Sequence, residues 1–304
     1  MIETVSKQPG LGLRRFLARR MARQTGLKVM SPDNPRQLAR ARLNKAGERV
    51  PTAPGVTVGA IEIAGRPALE FQPAEARPGA IVFFHGGGYI LGSPQSHKPF
   101  ASRLAAALNL RVVAPDYRLA PEHVFPAALE DGADALAVMR KNTDGPLIVA
   151  GDSAGGGLTL SSVIAHRDAG KPMPDALYLM SPWTDLSASG ESATALADAD
   201  PMLKPQYLAR GAELYLDGAA PSDPAASPLF ADLQGLPPTL IQVGAREILL
   251  DDSRRLAQAL DAAGVSVRCE VWEQMFHDFQ LFSPLLPEAD QALSHVRTWA
   301  DAHL

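Results

Sequence analysis

Leu147-Ile148-Val149-Ala150-Gly151-Asp152-Ser153-Ala154-Gly155-Gly156-Gly157 decides how this chain is read. Four apolar residues make a short buried strand, and the glycine-rich run turns sharply into an apolar, Ala/Ser-rich helix from Leu158 to Arg167. Gly-x-Ser-x-Gly between a strand and a helix is the nucleophile-elbow pattern. Gly151 and Gly155 are required because the turn is so tight that side chains there would meet the neighbouring strand and helix. Ser153 is left at the tip with its hydroxyl exposed. Beside it lie the N–H of Ala154 and the positive end of the helix dipole, where an anion can be held. The same five residues also occur by chance as a small-residue loop, so the elbow stands only if the rest of the chain supplies its partners.

The 304 residues can bury a large core, either as one domain with insertions or as two small ones, and the strand and helix pattern favours one domain with lid elements. With 46% hydrophobic and 20% charged residues, the composition is that of an ordinary soluble enzyme rather than a disordered chain. A formal charge of −4 offers no broad attraction to nucleic acid, so a nucleic-acid partner is not expected. Cys269 is the only cysteine, which rules out an intrachain disulfide, and its alternating surroundings Val265 to Trp272 make it a strand residue rather than a nucleophile. No apolar run approaches the ~18 residues of a membrane span. Residues 11–27 combine Leu11, Leu13, Phe16, Leu17, Met21 and Leu27 with five arginines in a basic amphipathic helix. The expected role is packing of its apolar face on this protein; a transit-like segment or membrane-surface anchor is the alternative. A long apolar h-region is absent, so a cytoplasmic protein without stable membrane insertion is expected.

Asp33-Asn34-Pro35 can start a second helix running to about Lys45, before Pro51, Pro54 and Gly55 end the helical region. Val56 to Ile63 and Ala68 to Gln72 alternate on either side of Gly65-Arg66-Pro67, as an edge hairpin does. Ala80 to Phe84 is a continuous apolar strand, and helix and strand signals then alternate. Helices are expected over Phe100 to Leu108, Ala127 to Lys141, Asp252 to Ala263 and Glu288 to Ala302. Strands are expected over Arg111 to Ala114, Leu147 to Ala150, Ala176 to Met180, Thr239 to Val243 and Val265 to Trp272. Residues from about Leu186 to Gly218 break the rhythm with no strand pattern and a helix from Lys204 to Leu216, which reads as an inserted lid piece. Helix-connected parallel strands behind an edge hairpin describe a three-layer α/β/α sheet.

A serine hydroxyl needs a base, and the base works best when a carboxylate orients it. Of seven histidines, His277 lies just after the last strand, on the same sheet edge as Ser153. His85 belongs to a glycine turn, His166, His295 and His303 fall in helices, and His97 and His123 are expected in loops on the active edge, where either could touch the site, though structural or binding roles are the expected ones. The acid should follow the strand Thr239 to Val243, where Glu247, Asp251 and Asp252 are candidates. Glu247 sits closest to the strand end, Asp252 looks like a helix N-cap, and Asp251 shares that turn. Asp152, next to Ser153, points away from the nucleophile as hydrogen-bonded support. His85-Gly86-Gly87-Gly88 lets the main chain approach a developing oxyanion, at roughly 3 to 4 kcal/mol per N–H. Gly86, Gly87, Gly88 and Ala154 form the expected hole, with the N–H groups of Gly87, Gly88 and Ala154 as its donors and Gly86 and the His85 side chain shaping the loop. A triple glycine can also be a phosphate loop or a plain turn, but no Lys-Ser/Thr follows as a P-loop needs.

With His85-Gly86-Gly87-Gly88 and Gly151-Asp152-Ser153-Ala154-Gly155, the chain resembles the hormone-sensitive-lipase family of α/β-hydrolases, in particular its bacterial carboxylesterases. Asp116-Tyr117-Arg118-Leu119-Ala120-Pro121-Glu122, Ser181-Pro182-Trp183 and Met275-Phe276-His277 extend the resemblance over nearly the whole chain. It implies the α/β-hydrolase fold, with an eight-stranded, mostly parallel sheet in a three-layer α/β/α sandwich. A helical cap comes from residues 1–45 and an inserted segment 186–218, and the hydrolase core from 46–185 and 219–304. Many members have Asp-Pro-Leu where this chain has Glu247-Ile248-Leu249, which makes Glu247 the implied triad acid beside Ser153 and His277. The resemblance further implies hydrolysis of carboxylic esters with short to medium acyl chains, no cofactor and no metal. Tyr89, Trp183, Leu203, Tyr207 and Phe276 are candidates for the acyl pocket. The expected partner is a small-molecule ester, with a homodimer as the one assembly considered. Amide or lactone hydrolysis, or a non-catalytic small-ligand-binding relative lacking the triad histidine, are the alternatives.

Overall fold

A computed structural model of the chain describes residues 1–6, 10, 12–31 and 34–304; Leu11 and Asp33, where the two N-terminal helices were expected to start, lie outside the described residues. The N-terminal region holds β1 (Ile2–Val5), α1 (Gly12–Thr25), a π-helical turn over Gly26–Met30 and α2 (Arg36–Arg49). Next come β2 (Val56–Ile63), β3 (Arg66–Pro73), β4 (Ala80–Phe84), α3 (Pro94–Leu108), β5 (Arg111–Pro115) and α4 (Ala127–Lys141). The elbow strand β6 (Leu147–Asp152) leads into α5 (Ala154–Asp168) and β7 (Ala176–Met180). After β7, a stretch without strands carries α6 (Ser192–Ala195) and α7 (Pro205–Leu216). The chain closes with β8 (Thr239–Gly244), α8 (Leu250–Ala262), β9 (Val267–Trp272) and α9 (Pro287–His303).

The strands form one sheet in the order β1-β9-β8-β7-β6-β4-β5-β3-β2, parallel except for the β2–β3 hairpin and its antiparallel junction with β5. The continuous apolar runs of β4, β6 and β7 follow from burial on both faces. Alternate residues serve opposite layers. Val82, Phe84, Val149 and Leu179 pack in the core shared with α4, α5 and α8. Ile81, Phe83, Ile148 and Tyr178 pack in the core shared with α3 and α9. This is the three-layer sandwich of the α/β-hydrolase fold. Among the described residues no helix is long and apolar enough to cross a membrane.

Several expectations are corrected. The sheet has nine strands rather than eight, because β1 pairs in parallel with β9, Ile2 opposite Cys269 through Val5 opposite Trp272. The segment 1–45 is therefore not all helical: it opens with a strand that covers the β9 edge. Nor does α1 turn its apolar stripe inward. It buries Ala18 and Ala22, while Leu13, Phe16, Leu17 and Met21 are exposed. Small residues let its backbone come close, the Gly26 Cα leaves no room for a side chain against Met202 O, and Arg15 Nε donates to Glu288 Oε1 at 2.6 Å. Close backbone approach and an ion pair, not large apolar side chains, seat this helix.

α3 starts at Pro94 rather than Phe100, because Ser93 and Ser96 form a reciprocal capping box, which places His97 in a helix and not in a loop. α8 begins at Leu250, so Asp252 lies inside it and is not its N-cap. Its Oδ2 accepts instead from the N–H groups of Thr184 (2.8 Å) and Asp185 (3.0 Å). Asp251 Oδ2 accepts from Ser192 N–H at 2.8 Å. Both carboxylates thus fasten the strand-free segment after β7 to α8.

Candidate active site

β6 ends where the chain must reverse into α5, and Ser153 takes up the strain of that turn with φ 51° and ψ −120°, a conformation rare for a residue with a side chain. Its backbone is over-determined: Ser153 N–H donates to Met180 O at 2.9 Å, and its carbonyl accepts from Gly156, Gly157 and Trp183. A side chain on Gly155 would overlap the carbonyl oxygens of Phe84 and His85, which is why α5 can lie so close to β4. The expected exposure of the serine is corrected, since Ser153 is only 6% accessible. Residues of α7 and the stretch before it cover the elbow, and Ser153 lines a small cavity beneath them.

Glu247, three residues beyond the end of β8, and His277, in the loop after β9, are brought together, with His277 Nδ1 3.1 Å from Glu247 Oε1. Both are fully buried. The other carboxylate oxygen, Oε2, accepts from Gly244 N–H at 2.8 Å and from the Ser181 hydroxyl at 2.9 Å. A carboxylate on Nδ1 fixes the tautomer that leaves Nε2 free to take a proton. Asp278 Oδ2 lies 2.9 Å from Nε2, yet no aligned hydrogen bond reaches this nitrogen. Burial pulls the His277 pKa down, but the Asp278 and Glu247 carboxylates outweigh it and hold it well above the ordinary value. Asp278 is itself pushed up to about 7 by burial, with Asp152 and Glu247 adding to the shift. Ser153 Oγ makes no hydrogen bond among the described residues, so the serine is not yet joined to the histidine, as is common before substrate tightens such a site.

The glycine loop after β4 departs from expectation at Gly86. Its N–H donates to Asp152 Oδ1 at 3.0 Å and is no longer available to an oxyanion. The amides of Gly87, Gly88 and Ala154 have no acceptor among the described residues, which leaves three open donors around the elbow. Gly87 and Gly88 sit at φ 123° and 62°. A side chain on Gly87 would run into the Leu91 carbonyl. Asp152 also faces His97, whose Nε2 lies 3.3 Å from Oδ2. The His85 ring stacks on Tyr117 at 4.3 Å, its Nδ1 sits 2.8 Å from the Gly86 carbonyl, and burial depresses its pKa to about 3. A neutral His85 therefore braces the loop.

Two cavities flank the serine. One of about 30 Å³ is walled by Ser153, Gly87, Gly88, Trp183, Leu203 and Tyr207. The other, of about 270 Å³, runs past Gly87, His97, Asp152 and Asp278 to Met21 and Leu43 on the N-terminal helices. Trp183, Leu203 and Tyr207 thus line the cavity beside Ser153. Tyr89 and Phe276 do not: Tyr89 is stacked on Tyr215 at 3.9 Å, and Phe276 packs edge-on against Phe282 at 5.1 Å. An apolar residue next to a glycine loop or a histidine says nothing about which way it points. Asp278 and Ser181 were missed as site neighbours, whereas the sequence places His97 on this edge. Ser181 alone carried a signal, the Ser181-Pro182-Trp183 motif at the end of β7, the strand beside β8.

The pattern of the α/β-hydrolase fold family matches residues 81–281, the stretch that holds Ser153, Glu247, His277 and the glycine loop. The chain belongs to the α/β-hydrolase family. Within it the chain falls among the hormone-sensitive-lipase esterases. An acetyl-hydrolase of Streptomyces hygroscopicus is 42% identical over 263 residues, covering 85% of this chain and 86% of that protein. An esterase of Acinetobacter venetianus is 37% identical over 253 residues, covering 82% of this chain and 84% of its own. A crystal structure of an esterase from the bacterial hormone-sensitive lipase family superposes with a TM-score of 0.91 at 37% identity, over 98% of this chain and 99% of that one.

For an α/β-hydrolase the electrostatics around the elbow are uneven. Asp152 and Asp278 both line the larger cavity, while the small cavity carries no charged side chain. Burial tends to raise the Asp152 pKa, but the charge and hydrogen bond of His97, with the Gly86 N–H, outweigh it, so this carboxylate stays ionised. His97, in turn, is held above its ordinary value by Asp152 despite its burial. The pair is a fixed dipole behind the glycine loop.

Proposed function

We propose that this chain is a serine carboxylesterase that hydrolyses esters with short to medium acyl chains through an acyl-enzyme. The observation that carries the reading is the buried Glu247–His277 pair on the sheet edge that also holds Ser153 and three unengaged amides. His277 Nε2 takes the Ser153 proton as Oγ attacks the ester carbonyl, and Glu247 stabilises the imidazolium that forms. The oxyanion settles on the N–H groups of Gly87, Gly88 and Ala154, an interaction worth roughly 3 to 4 kcal/mol per donor. His277 then gives its proton to the departing alcohol, and a water activated by the same imidazole cleaves the acyl-enzyme. The names of the relatives, acetyl-hydrolase and esterase, support ester hydrolysis. A structure with 37% identity was soaked with p-nitrophenyl butyrate, a short-chain ester. The cavity of about 30 Å³ walled by Trp183, Leu203 and Tyr207 favours the short end of the acyl range. The N-terminal helices and the strand-free segment 186–218 act as the cap over this pocket.

The deciding experiment is hydrolysis of a p-nitrophenyl butyrate ester by the wild type and by Ser153→Ala, with folding checked by circular dichroism. The variant should fall below ~10⁻³ of the wild-type rate, the residue expected when one triad member is lost. A wild type no faster than the variant would overturn the esterase reading. A panel of matched esters, amides and lactones then ranks the substrate classes.

A further inference from the structure

Beside the site lies a third cavity of about 540 Å³, walled by Phe16, Arg19, Arg20 and Arg23 of α1 and by Lys204 and Tyr207 of the segment ahead of and within α7. Arg19 and Arg23 stand four residues apart on one face of the helix, with Arg20 beside them. None of the three guanidinium groups has a carboxylate partner among the described residues. Arg19 is the telling one. Its Nη2 donates to Ala199 O at 3.2 Å, while Nη1 is buried with no hydrogen-bond partner among the described residues. An unpaired buried donor on a cation costs more than a neutral one, and an anionic ligand is what would repay it.

The acidic residues at this cavity do not cancel the charge. Asp200 is spent on backbone, its Oδ1 accepting from Met202 (2.8 Å) and Leu203 (3.0 Å) and its Oδ2 from Ile248 (3.1 Å). Asp198 is exposed and unpaired and offsets one charge of four. Burial first and then the neighbouring Arg246 pull the Arg19 pKa down, and Asp200 offsets them only in part.

The cavity adjoins the reaction site, the two being separated by side chains they share. Tyr207 lines both this cavity and the small one at Ser153, and Met202 lines both this cavity and the large cleft. A substrate with a negative end would be repelled from the cleft side, where Asp152 and Asp278 stand, and drawn to the arginine side. We infer that the arginine cavity is a subsite for a carboxylate at the far end of the acyl group, which makes half-esters of dicarboxylic acids a substrate class of this enzyme. This deepens the esterase reading and rests on it. The reaction stays ester plus water to acid plus alcohol, with the second carboxylate serving only as a handle.

The test compares mono-(4-nitrophenyl) adipate with 4-nitrophenyl hexanoate, which share the six-carbon chain and differ in the terminal charge. In Arg20→Gln/Arg23→Gln, whose positions are exposed, and in the triple variant that adds Arg19→Gln, KM for the half-ester should rise about tenfold or more. The hexanoate should change by less than about twofold in the same variants. Raising salt to about 0.5 M should erase the wild-type preference for the half-ester. Equal effects on both esters, or none on either, would overturn the subsite. Calorimetric titration of monomethyl adipate into Ser153→Ala reads the same site without turnover, with binding expected to weaken about tenfold in the arginine variants and methyl hexanoate as the neutral control. Turnover without charge discrimination removes the subsite and leaves the esterase. Charge-selective binding without turnover of any ester removes the esterase and leaves the anion site.

Discussion

Gly86 N–H donates to Asp152 Oδ1 at 3.0 Å, a bond between the glycine loop after β4 and the elbow after β6. With His97 Nε2 3.3 Å from the other carboxylate oxygen, Asp152 sets where the loop stands relative to Ser153, and so where the amides of Gly87 and Gly88 aim. Asp152→Ala should therefore lower kcat on a butyrate ester by about 10²-fold, the scale of one mis-aimed oxyanion donor. It should also lose about 1–3 kcal/mol of stability through the orphaned Gly86 amide. Asp152→Asn keeps an acceptor for Gly86 and should recover part of both. A change confined to KM, seen in steady-state kinetics alongside thermal unfolding, would show that the loop does not depend on this bond.

Glu247 is anchored from two sides, by Gly244 N–H and the Ser181 hydroxyl, and this seats its longer side chain in reach of His277. Glu247→Gln should cost up to roughly 10⁴-fold in kcat, because the charge that stabilises the imidazolium is lost and the amide can favour the wrong tautomer. Glu247→Asp should restore only part of the rate, its carboxylate falling short of Nδ1. Asp251→Asn and Asp252→Asn, which hold backbone amides of the strand-free segment, should stay within about tenfold of wild type. A Glu247→Gln enzyme within about tenfold of wild type, beside a nearly dead but folded Asp251→Asn or Asp252→Asn, would move the acid elsewhere.

What the sequence discloses here depends on how local the physics is. β4, β6 and β7 are legible because burial on both faces removes all alternation, and the elbow is legible because only glycine fits at 151 and 155. β1 is not, since its four residues are mostly exposed and owe their structure to a partner strand at the other end of the chain. The apolar stripe of α1 is real in the sequence, but periodicity does not say what covers it, and alanines and Gly26 make the contact instead. Gly86 reads as part of the hole, and nothing local in the sequence shows that Asp152 takes its N–H. Asp252 follows the local rule for a helix cap and is overridden by two amides 67 and 68 residues away.

Those two amides make a stability prediction. Asp252→Ala leaves the buried N–H groups of Thr184 and Asp185 without their acceptor and should cost about 2–4 kcal/mol, measured by denaturant unfolding. Burial pushes the Asp252 pKa up from 3.8 to about 7, so the folded state keeps a proton that the unfolded chain releases. The sign follows from linkage: this group makes stability fall as pH rises from about 4 to about 7. Asp252→Asn, a neutral acceptor, should be milder than alanine at every pH and should flatten that slope. An unchanged slope in Asp252→Asn would place the pH dependence in another group.

The contact between Asp278 Oδ2 and His277 Nε2, 2.9 Å long, involves the nitrogen that must take the proton of Ser153. A carboxylate there favours the imidazolium, and with Glu247 on the other side it raises the His277 pKa against the pull of burial. Catalysis needs the neutral imidazole, so kcat/KM should climb with pH as His277 loses its proton, with the rising limb above the range of an ordinary histidine. Asp278→Asn removes one of the two charges that hold the proton, and the limb should move to lower pH. A less basic imidazole is also a weaker acceptor, so the plateau rate should drop modestly. Glu247→Gln, by contrast, should depress the rate at every pH, because it takes away orientation as well as charge. The profiles of wild type and Asp278→Asn from about pH 5 to about pH 9 separate the two effects. A limb that stays in place, or moves to higher pH, would mean that Asp278 does not set the protonation of His277.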